Sequence, residues 1–292
     1  MLPSLHILCF AASYAVALVL DLLGLVWRAP ARRYAMIGFA TAGVLAHTWF
    51  LGQRAALRAA SPLSSAADWC LLAAWLLAVI YLGQAIYYKR LAIGVFLLPL
   101  VLALIGASYY ASPQPWAPER ASRFWGNVHG VFLLLGTVAV SVGFLSGVMY
   151  LVQSHRLKQK RPPTPGFRLP SLEWLELTNS RSLGISALLI GVGFVSGVIL
   201  NTHKNRAVEA YVPWTDPVVI SLGLMLLWLV VAELFRLTYP AARRGRKIAY
   251  LTVAAFLFLC FTLASLLWLD TEHGGAQVYK QQAAATAAEV RA

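Results

Sequence analysis

The chain has 292 residues, 60% of them hydrophobic and 12% charged, with a formal net charge of +13. Soluble domains carry about 25% charged residues, so the composition excludes an ordinary soluble globular protein and points to the helical membrane class. The basic excess is not a nucleic-acid signature, because the charges stand in clusters between long apolar runs with no aromatic-basic reading surface.

Runs of about 20 apolar residues define eight spans, at residues 5–27, 34–53, 67–88, 92–111, 126–153, 183–203, 215–237 and 247–269. They are too long for barrel strands and lack a period of two. The first run has no basic n-region and no small-residue cleavage site, so it reads as a span and not a signal peptide. Most basic residues fall after spans 1, 3, 5 and 7. They are Arg28, Arg32 and Arg33, then Lys89 and Arg90, then six from Arg156 to Arg181, then five from Arg236 to Lys247. The positive-inside rule places these loops in the cytoplasm and both termini outside. The expected fold is therefore an all-α integral membrane protein, a polytopic bundle of about eight transmembrane helices with extracytoplasmic termini.

The longest connection is the cytoplasmic linker 154–182. "KRPPTPGFRLP" is proline-rich, and "SLEWLELTNS" reads as a short interfacial helix with Ser171 as N-cap and Leu172, Trp174 and Leu175 on the membrane surface. Between spans 6 and 7 lies an external aromatic loop, 204–217, ending in "EAYVPWTDPVV". Residues 274–292 form a polar, alanine-rich external tail. Cys9, Cys70 and Cys260 all lie in spans with no C-x-x-C or C-x-x-C-H, which excludes a covalent c-type haem and paired thiol exchange.

Polar groups within spans need a reason, since each costs a few kcal/mol in lipid. His6 and His155 read as interfacial and solvated. His47 stands six residues before the outer end of span 2, about 9 Å deep at 1.5 Å per residue, and is either a histidine bonded to a neighbouring helix or a ligand or relay. His129, His203 and His273 all face outward by topology. Imidazole is a usual axial ligand of haem iron, and two can clamp one haem from opposite faces. Six of the ten tryptophans are on the outer side: Trp49, Trp69, Trp116, Trp125, Trp214 and Trp268. They read either as an interfacial belt or, at Trp116, Trp125 and Trp214, as cover for a flat porphyrin. Asp21 and Glu233 are intramembrane carboxylates near the cytoplasmic ends, compatible with a scaffold or transporter. No nucleophile–base pair, phosphate loop or paired catalytic carboxylates can be found, so the chain does not read as an enzyme.

Four stretches in order resemble one family. They are "VLAHTWFLGQRAALRAASPLSSAADWC", "WGNVHGVFLLLGTVAVSVGFLSGVMYLVQSHRLKQK", "LPSLEWLELTNSRSLGISALLIGVGFVSGVI" and "RRGRKIAYLTVAAFLFLCFTLASLLWLDTEH". Together they resemble the cytochrome c assembly proteins, the CcsA/ResC/CcmC group with its HemX-like members. The resemblance covers residues 1–273 and implies a haem-handling protein in a bacterial inner membrane, holding haem b non-covalently. Its partners would be haem, a second assembly membrane protein and apocytochrome c. It implies His129 and His273 as ligands of the haem iron and His47 as a waypoint within the membrane. Trp214, Tyr211, Trp125 and Trp116 would pack on the porphyrin, and Lys204 and Arg206 would pair with its propionates. Asp216 would orient the loop or a histidine. The loop departs from the family pattern W-G-x-x-W-x-W-D-P-K-E. It keeps Asp216-Pro217 and Trp214, while Val218 and Val219 replace Lys and Glu. Phe235 stands near where assembly proteins tend to carry a further histidine. These departures leave open a HemX-like regulator of tetrapyrrole synthesis, acting at the level of glutamyl-tRNA reductase.

Overall fold

A computed structural model describes residues 2–26, 29–57, 65–88, 91–111, 113, 123–160, 167–203, 212–239, 245–269 and 271. The elements are eight helices: α1 (Leu2–Leu23), α2 (Pro30–Leu57), α3 (Ala66–Tyr87), α4 (Gly94–Tyr110), α5 (Arg123–Lys158), α6 (Leu172–His203), α7 (Pro217–Thr238) and α8 (Arg246–Trp268). Each contains or nearly matches one expected span. Six are long and apolar enough to cross a membrane, while α4 and the apolar part of α1 are shorter. The protein is a multi-pass helical membrane protein. The 17 residues of α4 reach about 26 Å, short of a hydrocarbon core of about 30 Å.

Local chemistry sets the ends. Pro30 opens α2, where a missing N–H is harmless. Ser65 caps α3 by accepting the Asp68 N–H at 3.1 Å and donates back to the Asp68 carboxylate at 2.6 Å. Arg54 from the last turn of α2 pairs with that carboxylate. The α4 N-terminus has no side-chain cap of its own. Asp21 from α1 supplies one, accepting the Gly94 and Val95 N–H groups beside Arg32.

The linker differs from expectation. Ser171 does cap a helix, accepting the Trp174 N–H at 3.2 Å. That helix does not stop, however: α6 runs unbroken for 32 residues into the sixth span. No glycine or proline interrupts residues 172–183, and one face carries Leu175, Asn179, Ser182 and Leu183, all buried. Packing on both sides of the expected break makes one continuous helix the better solution. Leu175 lies in the core and not on a membrane surface, and Trp174 meets Tyr88 edge-on with centroids 6.2 Å apart.

Helices α1 to α4 pack around one another, and so do α5 to α8; the halves join mainly through α3 and α4 against α5. A further patch of core unites Ala66, Ala67 and Ala111 with Leu266 and Leu267 of α8. Consecutive helices are antiparallel. One end of the bundle therefore collects the starts of α5 and α7 with the ends of α6 and α8. We refer to it as the His129 end, and to the other as the Arg236 end.

Exposed aromatics ring both ends. Trp49, Tyr109, Tyr110, Phe124, Trp214 and Trp268 mark the His129 end, and Tyr34, Tyr87, Tyr88, Tyr239 and Tyr250 mark the other. Both ends thus carry an exposed aromatic belt, and the exposed tryptophans fall in the one at the His129 end. The two intramembrane carboxylates are both engaged, Asp21 on α4 and Glu233 with Arg236, which also donates to Ser180 at 2.8 Å.

Candidate functional site at the His129 end

His129 stands six residues into α5, about 9 Å along the helix. Its Nδ1–H donates to the Gly193 carbonyl of α6 at 2.7 Å. A carbonyl only accepts, so Nδ1 must carry the proton and Nε2 the lone pair. The ring fits because α6 has no side chain beneath it. A Cβ on Gly197 would stand 2.7 Å from both Cε1 and Nδ1 of His129, and one on Gly193 would run into Leu133. The Nδ1–Cε1 edge therefore faces α6, and the Nε2–Cδ2 edge faces away from it. Across the seam, His129 and Leu133 pair with Gly197 and Gly193 in steps of one turn. The Ser196 hydroxyl also donates to the Gly193 carbonyl, at 2.8 Å.

The same stripe of α6 continues one turn further to Asn201. Its side chain brackets Val212, donating to the carbonyl at 3.0 Å and accepting the N–H at 3.1 Å. This amide ties the last turn of α6 to Val212 as a backbone pair would. Beyond Val212 the chain turns tightly, with the Asp216 N–H on the Pro213 carbonyl at 3.0 Å. Trp214 is at the tip of that turn, 51% exposed. Trp125 lies one turn before His129 on the same face of α5, at the level of Asn201, with its ring edge-on to Phe124 at 5.4 Å.

Asp216 is buried and fixes two elements. Its carboxylate accepts the Val218 N–H at 2.9 Å, capping α7 ahead of Pro217. It also accepts the Thr271 hydroxyl, 2.8 Å from Oδ1 and 2.7 Å from Oδ2. Thr271 follows the end of α8, so one carboxylate ties the start of α7 to the chain that leaves α8.

Of the residues singled out in the sequence, His129, Trp125, Trp214 and Asp216 all stand at this end, His129 and Trp125 on one face of α5 and Trp214 and Asp216 at the start of α7. Tyr211, His273, Trp116, Lys204 and Arg206 lie outside the described residues, as does the side chain of His203. His47 is elsewhere. It is fully buried in the other half, stacked on Phe10 with centroids 4.0 Å apart and planes at 4°. Its Nδ1 meets the Tyr14 hydroxyl at 3.4 Å, while Nε2 is buried with no hydrogen-bond partner among the described residues. Sequence reading missed Gly193, Gly197, Asn201 and Thr271. The first three announce themselves as a spacing of four in "GFVSGVILN"; Thr271 carries no such signal.

No group of three or more histidines, cysteines or carboxylates capable of holding a bare metal ion occurs among the described residues. A haem asks less of the protein, since the porphyrin supplies four ligands and the chain one or two. The family model described as cytochrome c assembly protein matches residues 63–273. The chain belongs to the cytochrome c assembly protein family. The matched stretch takes in His129, Trp214 and Asp216 and closes on His273, whereas His47 precedes it. Comparison with curated proteins finds no match. Membership of this family supports a role in cytochrome c biogenesis.

Proposed function

We propose that this member of the family binds haem b non-covalently at the His129 end and presents it at the extracytoplasmic face of a bacterial inner membrane for cytochrome c maturation. His129 and His273 would be the axial ligands. The observation that carries the reading is the His129–Gly193 bond. A histidine that ligates a metal normally commits its other ring N–H to a carbonyl or carboxylate, which fixes the tautomer and raises ligand basicity. His129 has that arrangement, with its Nε2 edge turned away from α6. Haem, when bound, would supply the iron–porphyrin unit that a c-type cytochrome carries.

The chain's own groups would do the rest. Trp125 and the half-exposed Trp214 offer flat apolar surface at the same level, and Tyr211 and Trp116 would add to it. Lys204 and Arg206 would answer the propionates. His47 offers a deeper nitrogen, and its Nε2, with no hydrogen-bond partner among the described residues, would suit a ligand, but the ring is fully buried and the helices around it would have to part before haem reached it. The protein would act as a holder and not as an enzyme, with a second assembly membrane protein and apocytochrome c as partners.

The test is the absorption spectrum of protein purified in detergent from a haem-sufficient host. A Soret band is expected, lost or shifted in His129→Ala and in His273→Ala. Absence of the band in the unsubstituted protein sinks the reading. Loss in His47→Ala alone, with both other variants unaffected, sinks the ligand assignment.

One observation favours a second reading, the HemX-like regulator. Val218 is buried in the first turn of α7 where the family pattern has lysine, and Trp214 is the loop's single tryptophan, so the surface offered to an apocytochrome is reduced. Deletion would then change haem-precursor levels or glutamyl-tRNA reductase abundance and leave c-type cytochromes intact.

A further inference from the structure

A small cavity lies where the two halves of the bundle meet, towards the Arg236 end. Gln84 in the last turn of α3 and Phe96 of α4 line one side. Ser146 and Met149 of α5, with Trp174 and Thr178 of α6, line the other. The space open to the centre of a water molecule is about 20 Å³. One water needs about 10–15 Å³ by that measure, so the cavity takes one and excludes a larger solute. Its walls are pinned and do not simply collapse. Phe96 meets Phe167 with ring centroids 6.2 Å apart, Trp174 meets Tyr88 at the same distance, and the Ala92 N–H donates to the Arg168 carbonyl at 2.9 Å.

The lining is polar on both sides. Gln84 Oε1 is buried and has no hydrogen-bond partner among the described residues. A buried acceptor without a donor destabilises a fold, and the more so within a membrane span, where bulk water cannot reach it. Across the cavity stands Ser146, 2% exposed, whose hydroxyl can donate and accept. A cavity lined only by apolar groups stays dry, whereas one with polar groups on two walls and room for a water takes one up.

We infer that this cavity is a binding site for a single ordered water, which donates to Gln84 and bridges it to the Ser146 hydroxyl. Water suits the carboxamide in either orientation, because it donates to the oxygen and accepts from the nitrogen. The bridge joins α3 to α5, and the halves meet mainly through α3 and α4 against α5. It therefore ties the α1–α4 half to the α5–α8 half by hydrogen bonds at a place where direct packing leaves a gap. The inference concerns how the halves are joined and is independent of the haem reading.

The experiment uses the full chain, unsubstituted and as Gln84→Leu, Ser146→Ala and the double variant. A structure at a resolution that shows ordered water is expected to place one peak about 2.5–3.0 Å from both Gln84 Oε1 and Ser146 Oγ, and Gln84→Leu is expected to lose it. In thermal unfolding each single variant should lower Tm. The double variant should fall by clearly less than the sum of the two shifts, because either substitution alone already breaks the bridge. Ser108→Ala is the control. Its hydroxyl donates to the Ile105 carbonyl of its own helix at 2.6 Å, and its shift should add to that of Gln84→Leu. A direct Gln84–Ser146 contact with no peak between them overturns the inference. So do single variants with unchanged Tm, or additive shifts for Gln84→Leu and Ser146→Ala. Should a variant fail to fold, the density of the unsubstituted protein decides alone, and absence of the peak there is refutation.

Discussion

Gly197→Ala tests the His129 seat by adding one methyl group. The new Cβ would lie 2.7 Å from Cε1 and Nδ1 of His129, whereas non-bonded carbon atoms prefer about 3.5–4.0 Å. Close to 1 Å must therefore be found. The ring cannot simply retreat, because its Nδ1–H is held on the Gly193 carbonyl at 2.7 Å. Either the ring swings and gives up that bond, a loss of about 1 kcal/mol, or α5 and α6 part, an overpacking cost of about 1–3 kcal/mol. Alanine's better helix propensity returns up to about 1 kcal/mol. The net loss of stability is thus modest, about 0–2 kcal/mol on those terms. The ring orientation, by contrast, must change. The matched control is Gly191→Ala on the same helix, whose Cβ would meet only Leu226 at an ordinary 3.8 Å. We expect Gly191→Ala to leave both the detergent-solubilised Tm and the haem spectrum unchanged, and Gly197→Ala to lose haem or its low-spin signature with only a small fall in Tm. If the two alanine variants have the same spectrum and haem content, the idea that α6 seats the ligand is wrong.

Three further outcomes follow from the packing. Gly94→Ala should lower stability by about 1–3 kcal/mol, because its Cβ would strike the Asp21 carboxylate and the Tyr81 ring at the start of α4; an unchanged Tm would show that Asp21 does not seat there. Asn201→Leu removes both bonds to Val212, worth about 1–3 kcal/mol together, and should speed amide exchange at Val212 and protease cleavage within 202–211, while unaltered exchange would mean the clamp does not hold the loop. Arg236→Met strands the Glu233 carboxylate, which is only 20% exposed, and should cost about 1–3 kcal/mol by thermal unfolding; the Glu233→Gln/Arg236→Met double variant should recover most of it, and a double variant no better than the single would refute the pairing.

The helices were largely legible because lipid imposes a length and an apolar content that the chain must meet, so each run of about 20 residues announces itself. The continuity of α6 was not. Glu173, Glu176 and Asn179 make residues 172–180 look amphipathic and interfacial, yet Leu175 and Asn179 are buried against neighbouring helices and Glu176 reaches the Gly245 N–H at 3.2 Å. A polar residue placed for a tertiary bond, as Glu176 is, or simply buried, as Asn179 is, looks in one dimension like one placed for water. At the His129 end the conspicuous side chains were legible: His129, Trp214 and Asp216 stand out because histidine, tryptophan and aspartate are rare next to apolar spans. The groups that aim them were hidden. Gly193 and Gly197 act by lacking a side chain, and Thr271 acts through a partner 55 residues away, which no local pattern encodes.

The two ends of the bundle differ in what they leave for a ligand. At the Arg236 end several ionisable groups are tied into the bundle: Arg236 is shared by Glu233 and Ser180, Glu176 takes the Gly245 N–H, and Arg246 donates to Ser154 at 3.1 Å. Phe235, where the family tends to carry a histidine, stacks instead on Tyr239 with centroids 5.5 Å apart. These bonds tie α5, α6, α7 and α8 together and present no nitrogen ligand from α7. At the His129 end the polar side chains are also bonded, but to backbone and to one another in ways that aim them. His129 is turned by a carbonyl, Val212 is bracketed by Asn201, and Asp216 joins two chain segments. A polar group bonded so as to close a structure stabilises it. A histidine whose Nδ1–H is committed to a carbonyl has the tautomer and fixed ring orientation that a metal ligand needs. That contrast supports a protein that holds its ligand at the His129 end over one that passes it along a chain of ligands to the Arg236 end. His47, packed on Phe10 and Tyr14 of α1, stands in the α1–α4 half, outside the four helices that build this end.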